Sequence, residues 1–543
     1  YFFFVFSFYY IIIIKPVDIK KRINLNYGML TLMAIVSVAV FRFFYISILP
    51  LSADEAYFWV CSRHPALCFY DTPPMAPWMI SISTALFGNT EFGVRVFVSV
   101  FMALASCILY LFSMEVFEGD RKSAFFSVLM LLSIPGFALA GLLSGVEAPL
   151  VLFYLLSVSF LYKAILKEKP FYWFLAGIST GLGFLTKYLI IFLPVCLFLY
   201  LIFSDKRKYL KGPYPYMFLL TGILVSSPVI IWNAQNQWAN FLLNFLNRTR
   251  TSPAFSVNFL NILKHIGAQA AIMSPVMLIL LFYGFFKMVL AATSGKNKKM
   301  FFLFCFSAPV LIFFMLYSIF VEIPAPHWAG IGYIALITAV PRFIHGGNCG
   351  RQVKKLFDAS IFTAILITSV VHSVPWTKNI FLKLPLDEKN KSNFESFLAN
   401  FPSKAGKKLG KLRDAMPGKE NYFLIGRGFA TASYLEFYNP GQEEIYMLFQ
   451  RTKLGHGYYF WQDINEKTGK NAIFVDENSR CEEKLETIFS HVEKLPDFQI
   501  NNAEGKELKT FVFYNCIDFK GMEKQKPPVL RQREEIKKRK VEK

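Results

Sequence analysis

Apolar runs broken at short intervals by small clusters of charge fill the first two-thirds of this 543-residue chain. The runs are continuous rather than alternating, so they read as helices and not as barrel strands. Hydrocarbon tolerates only these two structures, and a helix needs roughly 20 apolar residues to cross it. Eleven spans are predicted, at 28–50, 92–115, 122–143, 147–165, 171–187, 188–204, 216–232, 266–291, 301–321, 327–345 and 355–374. After Pro375 the pattern changes to charge, turns and short alternating runs such as "KTFVFYNCIDF" (509–519). That alternation predicts a small α/β or α+β domain over 376–520, followed by a basic tail, 521–543. The first 27 residues stand apart: "YFFFVFSFYYIIII" is short for a span and reads as an extra anchor, a signal-like segment or a clipped start.

Composition agrees with the pattern. A chain that is 54% hydrophobic, 17% aromatic and only 17% charged, with 60 Phe, carries more apolar surface than one aqueous core can hold. The expected class is therefore a polytopic α-helical membrane protein with a small C-terminal domain. The net charge of +21 concentrates in alternate connections. Twenty Lys and Arg fall in the loops assigned to the cytoplasm (4 before the first span, then 2, 3, 4, 3 and 4), against Arg63, Lys187, Arg248, Arg250 and Lys264 opposite. By the positive-inside rule, the loop after the first span and the C-terminal domain face outward. The basic loops then meet anionic lipid headgroups, and no basic stripe with interleaved aromatics points to nucleic acid. Cys61 and Cys68 share the first outer loop, and Cys481 and Cys516 share the terminal domain. In an oxidising compartment either pair forms a disulfide if the side chains meet.

The first outer loop, 51–91, carries the candidate chemistry. "ADEAYFWVCSR" and the Pro-delimited "YDTPPMAPWMISISTALFG" (70–88) predict two amphipathic helices suited to the membrane interface. Asp54 and Glu55 open the first helix, where a carboxylate can cap free N–H groups as well as do chemistry. Further outer-side polar residues are Asp71, Glu147, Lys187, Asn233, Gln235, Trp238, Arg248 and His327. Ionisable groups of both signs on one membrane face form a candidate site, because each is costly there unless paired or used.

"DEAYFW", "FYDTPPMAPW", "FGNTEFGVRV", "SGVEAPLVLFY", "GLGFLTKY", "SPVIIWNAQNQWANF" and "PHWAG" follow one another across residues 28–345. In this order they resemble bacterial membrane glycosyltransferases of the GT-C class. The similarity is to the dolichyl-phosphate-mannose protein mannosyltransferase type, in the branch with the aminoarabinose lipid A transferases. A weaker match continues through "GRGFATASYLEFYNP" (426–440) and "GYYFWQD" (457–463). The resemblance implies a transmembrane glycosyltransferase domain over 28–375 and a polyprenyl-phosphate sugar as donor. It further implies an envelope glycolipid or protein as acceptor, inversion at the anomeric carbon, a site outside the inner membrane, and Asp54 as the acidic residue of the first outer loop.

Elementary chemistry fits that assignment. A polyprenyl phosphate leaves as a stable anion whose second pKa is about 6, so no strong general acid is needed. The attacking hydroxyl must lose its proton, which one carboxylate can accept: Asp54 is the expected general base and Glu55 its supporting charge. Asp71, Glu147, Lys187, Arg248, Trp238 and His327 are the expected substrate-binding residues, with Lys187 and Arg248 as partners for the phosphate. Trp238 and Trp328 can stack on a sugar or anchor the interface. Some relatives bind a divalent metal near these loops; Asp71 and His327 alone fall short of a metal signature, and no metal is assigned. Glu147 stands where related sequences often have Asp, and Thr72 follows Asp71 where the aminoarabinose branch tends to have Lys, so the sugar is left open. A Gly-rich phosphate loop is not apparent, which argues against a nucleotide-linked donor. A transporter or flippase, or an assembly partner, are the competing classes.

The charge count predicts that a reporter active only outside the cytoplasm is active when fused after Glu91 or Arg250 and silent after Lys122 or Lys211. Activity after Lys211 overturns the topology.

Overall fold

Every predicted span is helical, whole or in pieces, in the computed structural model of the chain. The structure describes residues 26–247, 257–294, 297–321, 325–347, 349–381, 395–397, 399–450, 452, 454–477, 481–502 and 505–541. The apolar run 1–14 and Arg248 lie outside them. Among the described residues six helices are long and apolar enough to cross a membrane: Tyr27–Tyr45, Glu91–Val116, Glu147–Leu166, Pro275–Thr293, Lys298–Tyr317 and Arg351–Thr377. The bent pair Tyr214–Val225 and Ser227–Gln235 adds a seventh if it is one span. The chain is thus a multi-pass helical membrane protein, but the count of eleven is not established by helix length.

Several predicted spans are broken, two of them just before a proline. Residues 266–291 divide at Ser274, whose φ of 71° ends the helix Leu260–Met273 before Pro275 opens the next. Residues 122–143 divide between Arg121–Ser133 and Pro135–Ala140. In both places a proline lacks the N–H that would continue the ladder and fits only a first turn.

The chain forms two compact units, one of residues 1–47, 95–228 and 252–373 and the other of 48–94, 229–251 and 374–543. In the first, small residues set the helix spacing. A Cβ on Gly177 would lie 2.6 Å from the Phe218 carbonyl oxygen, and one on Gly181 would lie 2.6 Å from Val225 Cβ. This Gly-x-x-x-Gly face lets the backbones of Phe171–Thr186 and Tyr214–Val225 approach closely where apolar side chains gain nothing by leaving lipid. At one end, Lys206 pairs with Glu168 (2.6 Å), Lys298 with Asp205 (2.6 Å) and Arg342 with Asp120 (2.8 Å). These pairs gather the basic loops assigned to the cytoplasm.

The second unit is built on a six-stranded sheet: β1 (Tyr422–Arg427), β2 (Ile445–Leu448), β3 (Asn471–Glu477), β4 (Phe489–Lys494), β5 (Phe498–Asn501) and β6 (Glu507–Phe519). Its order is β2-β1-β3-β6-β4, with β5 also on β6; β1 runs parallel to β2 and β3, and β6 antiparallel to its neighbours. The period of two along β1 divides its side chains between two cores. Phe423 and Ile425 join Phe474, Val512 and Tyr514 on one face. Tyr422 and Leu424 face the other, with Met447 and Phe513, and there the first-loop residues Leu51, Ala56, Trp59 and Val60 complete the core. The first-loop helix buries its apolar face against the helix Gly428–Tyr438, where Trp59 meets Phe437 edge-on at 4.9 Å. All eight cysteines are free thiols. Cys68 Sγ donates to the Thr72 carbonyl and Cys481 Sγ to the Asp476 carboxylate, and neither possible disulfide is formed.

Replacing Gly177 by Leu should force the two helices apart and destabilise the protein by about 1–3 kcal/mol, as overpacking does. Thermal unfolding in detergent measures it, and an unchanged melting temperature would show that the close approach is unnecessary.

Candidate active site

Ser52 precedes the helix Ala53–Arg63 and closes a capping box with Glu55. Glu55 Oε2 accepts the Ser52 N–H at 2.9 Å, and Ser52 Oγ accepts the Glu55 N–H at 3.4 Å. Glu55 is 1% exposed, whereas Asp54 faces solvent. The adjacent carboxylates thus have separate situations: Glu55 holds the helix start, and Asp54 is presented at the surface.

Asp71 is buried and structurally engaged. Its Oδ2 accepts the Tyr57 hydroxyl at 2.5 Å and its Oδ1 accepts the Gly455 N–H at 3.1 Å. Burial and the nearby Asp71 carboxylate push the Tyr57 phenol well above its usual pKa, keeping it a donor. Gly457 is required beside it, because a Cβ there would collide with Tyr57 Oη. Further along, Arg63 Nη1 donates to Glu436 Oε1 at 3.0 Å and to the Gln442 carbonyl at 2.7 Å. Two ties, one near each end of the helix, therefore lock the first loop onto the terminal residues. Trp238, in the same unit, is 43% exposed and stacks on Phe241. Its φ of 64° follows from the Trp238 N–H donating to the Asn233 carbonyl at 2.7 Å.

In the other unit the structure brings together three predicted residues from distant parts of the sequence. Glu147 opens the helix Glu147–Leu166, Lys187 ends Phe171–Thr186, and His327 lies in the turn Pro326–Ala329. Lys187 Nζ lies 2.7 Å and His327 Nε2 3.5 Å from Glu147 Oε1. Lys187 complements the negative end of its helix, and its ammonium has three donor hydrogens, of which one goes to Glu147.

Sequence reasoning missed Tyr57, Glu436 and Gly455, whose roles depend on contacts hundreds of residues apart. It also missed a Gly-Arg-Gly turn (426–428) joining β1 to the helix Gly428–Tyr438. That turn is occupied by protein groups: Phe429 N–H donates to Gln450 Oε1 at 2.9 Å, and Arg427 pairs with Asp476.

Residues 71–232 match the family model described as dolichyl-phosphate-mannose-protein mannosyltransferase. The fold is shared with ArnT from Cupriavidus metallidurans bound to undecaprenyl phosphate, with a TM-score of 0.62 over 90% of this chain and 98% of that one at 14% identity. The family match covers under a third of the chain, and the likeness to ArnT is one of fold. Lipid A galacturonosyltransferase RgtD of Rhizobium johnstonii is 22% identical over 284 residues, 52% of this chain and 58% of RgtD. An undecaprenyl phosphate-alpha-4-amino-4-deoxy-L-arabinose arabinosyl transferase of Pseudomonas aeruginosa is 30% identical over 182 residues, 31% of this chain and 32% of the relative. The chain therefore matches less than two-thirds of the length of these curated relatives.

Asp71→Ala should leave the buried Tyr57 hydroxyl without its acceptor and remove the tie to Gly455, costing about 1–3 kcal/mol. The measure is thermal stability together with protease sensitivity of 452–461; a stable, resistant variant would show that Asp71 is not an anchor.

Proposed function

We propose that this protein is a glycosyltransferase that moves a sugar from a polyprenyl-phosphate donor to a hydroxyl or phosphate of an envelope glycolipid or protein. The site lies on the periplasmic side of the inner membrane, within a catalytic domain spanning 28–375 that is completed by the C-terminal domain 376–520. The carrying observation is the division of labour at the start of the first-loop helix, where Glu55 caps and Asp54 faces solvent. The family match and the undecaprenyl phosphate-linked sugar named for the Pseudomonas aeruginosa relative support this reading.

Asp54 accepts the proton of the attacking hydroxyl as the new C–O bond forms, and the phosphate departs from the opposite side of the anomeric carbon, inverting it. Lys187 bonds the phosphate as its negative charge grows, which lowers the barrier more than it stabilises bound donor. Glu147 and His327 hold Lys187 in place. Arg248 serves as a second cation for the phosphate, and Asp71 supports the site through the first loop.

Asp54→Asn keeps size and helix-start chemistry but cannot take a proton, so transfer to a hydroxyl should fall roughly 100-fold or more with folding intact. The assay uses purified protein in vesicles with radiolabelled polyprenyl-phosphate sugar, and nucleotide sugar as the control donor. Near-wild-type transfer by the variant removes Asp54 as base, and direct use of the nucleotide sugar overturns the donor class.

A further inference from the structure

The helix Pro528–Val541 carries Arg531, Arg533, Lys537, Lys538, Arg539 and Lys540 against Glu534 and Glu535. A run of like charge repels itself unless anions lie close by. The first turn of this helix is planted in protein, with Val529 and Leu530 only 6% and 7% exposed. Arg533 Nη1 then donates to the Gln237 carbonyl at 2.6 Å, and Glu534 pairs with Lys526 at 2.7 Å, while Arg531 faces solvent. By helical spacing, positions 537 and 540 fall on the side of Arg533. The basic positions therefore continue outward from the point where the helix meets Gln237.

Gln237 marks the membrane boundary, because it stands two residues past the apolar helix Ser227–Gln235. Just beyond it Trp238, Phe241 and Phe245 form an aromatic row, with ring centroids 5.9 Å apart between the first two and 5.8 Å between the last two. Trp238 is 43% exposed and Phe245 51%. Water is a poor neighbour for such a row, whereas the headgroup level of a bilayer favours aromatic rings. Exposed rings beside a basic helix make the pattern of a segment that lies in the interface. The fixed anions at that level are lipid phosphates, whose charge is complementary to the helix.

We propose that the helix Pro528–Val541 and the aromatic row at 238–245 form one membrane-surface dock for anionic lipid headgroups. The basic residues hold the lipid phosphates and the rings sit at headgroup depth. Such a dock fastens the C-terminal domain to the bilayer, and it does not depend on the transfer reaction proposed above.

The test reconstitutes the full-length protein in phosphatidylcholine vesicles with and without phosphatidylglycerol, and follows amide hydrogen exchange of 528–541 by mass spectrometry. Phosphatidylglycerol should slow exchange there at least about 10-fold, and about 1 M salt should remove the protection, because screening then acts within roughly 3 Å. Replacing Lys537, Lys538, Arg539 and Lys540 together by Gln keeps helix propensity and removes four charges, each worth roughly a factor of five at an anionic surface. That variant should lose the protection while the rest of the chain exchanges as before. The emission missing from Trp238→Phe belongs to Trp238, and phosphatidylglycerol brominated near its headgroup should quench it. Equal exchange in the two kinds of vesicle, or unquenched Trp238 emission, overturns the dock. Equal protection by inorganic phosphate in phosphatidylcholine vesicles marks a site for a free anion and overturns it too.

Discussion

Burial of the first-loop helix against the helix Gly428–Tyr438, in a core shared with the sheet, is the constraint on which the candidate site depends. Trp59 and Val60 are fully buried in a core shared with Leu424, Met447 and Phe513. Side chains of this size each contribute roughly 1.5–3 kcal/mol when removed from water. Loops carry function when a rigid scaffold positions them. Here the scaffold is the helix Gly428–Tyr438, nearly 400 residues away in sequence, and the polar ties at Tyr57–Asp71–Gly455 and Arg63–Glu436 fix the register of the first-loop helix upon it.

That burial also explains why two neighbouring carboxylates differ. Successive residues on a helix point about 100° apart, since a turn takes 3.6 residues. When Ala56, Trp59 and Val60 face the core, Glu55 at the third helical position is directed back to the Ser52 N–H, and Asp54 is left facing solvent. Exchanging the order of the pair would put the shorter carboxylate in the capping position and the longer one in the exposed position. The sequence "SADE" is thus a statement about geometry as much as about charge.

Much of this was legible from residue pattern. The apolar runs are helices, "KTFVFYNCIDF" lies within β6, both first-loop helices form, and Glu147, Lys187 and His327 converge although 180 positions separate the first from the last. What was not legible depended on pairing at a distance or on one backbone torsion. Nothing local marks Asp71 as the acceptor for Tyr57 and Gly455, because any outer-loop acid reads as exposed until its partners are known. The break at Ser274 needed a positive φ at a serine, which propensity disfavours. Helix count stays unfixed for a related reason: several helices are short pieces, and length alone does not tell a broken span from two elements.

The cluster around Lys187 gathers Glu147, Lys187 and His327 from three separate elements. A lysine at a membrane boundary is costly alone, and Glu147 offsets that cost at 2.7 Å while restricting a flexible side chain to one direction. His327, beside the same oxygen, adds positive charge when protonated and leaves the Glu147–Lys187 pair neutral overall when it is not. On the proposed reading, a phosphate bonding this lysine would meet a donor whose ordering entropy was lost during folding, leaving more of the interaction energy for the developing charge.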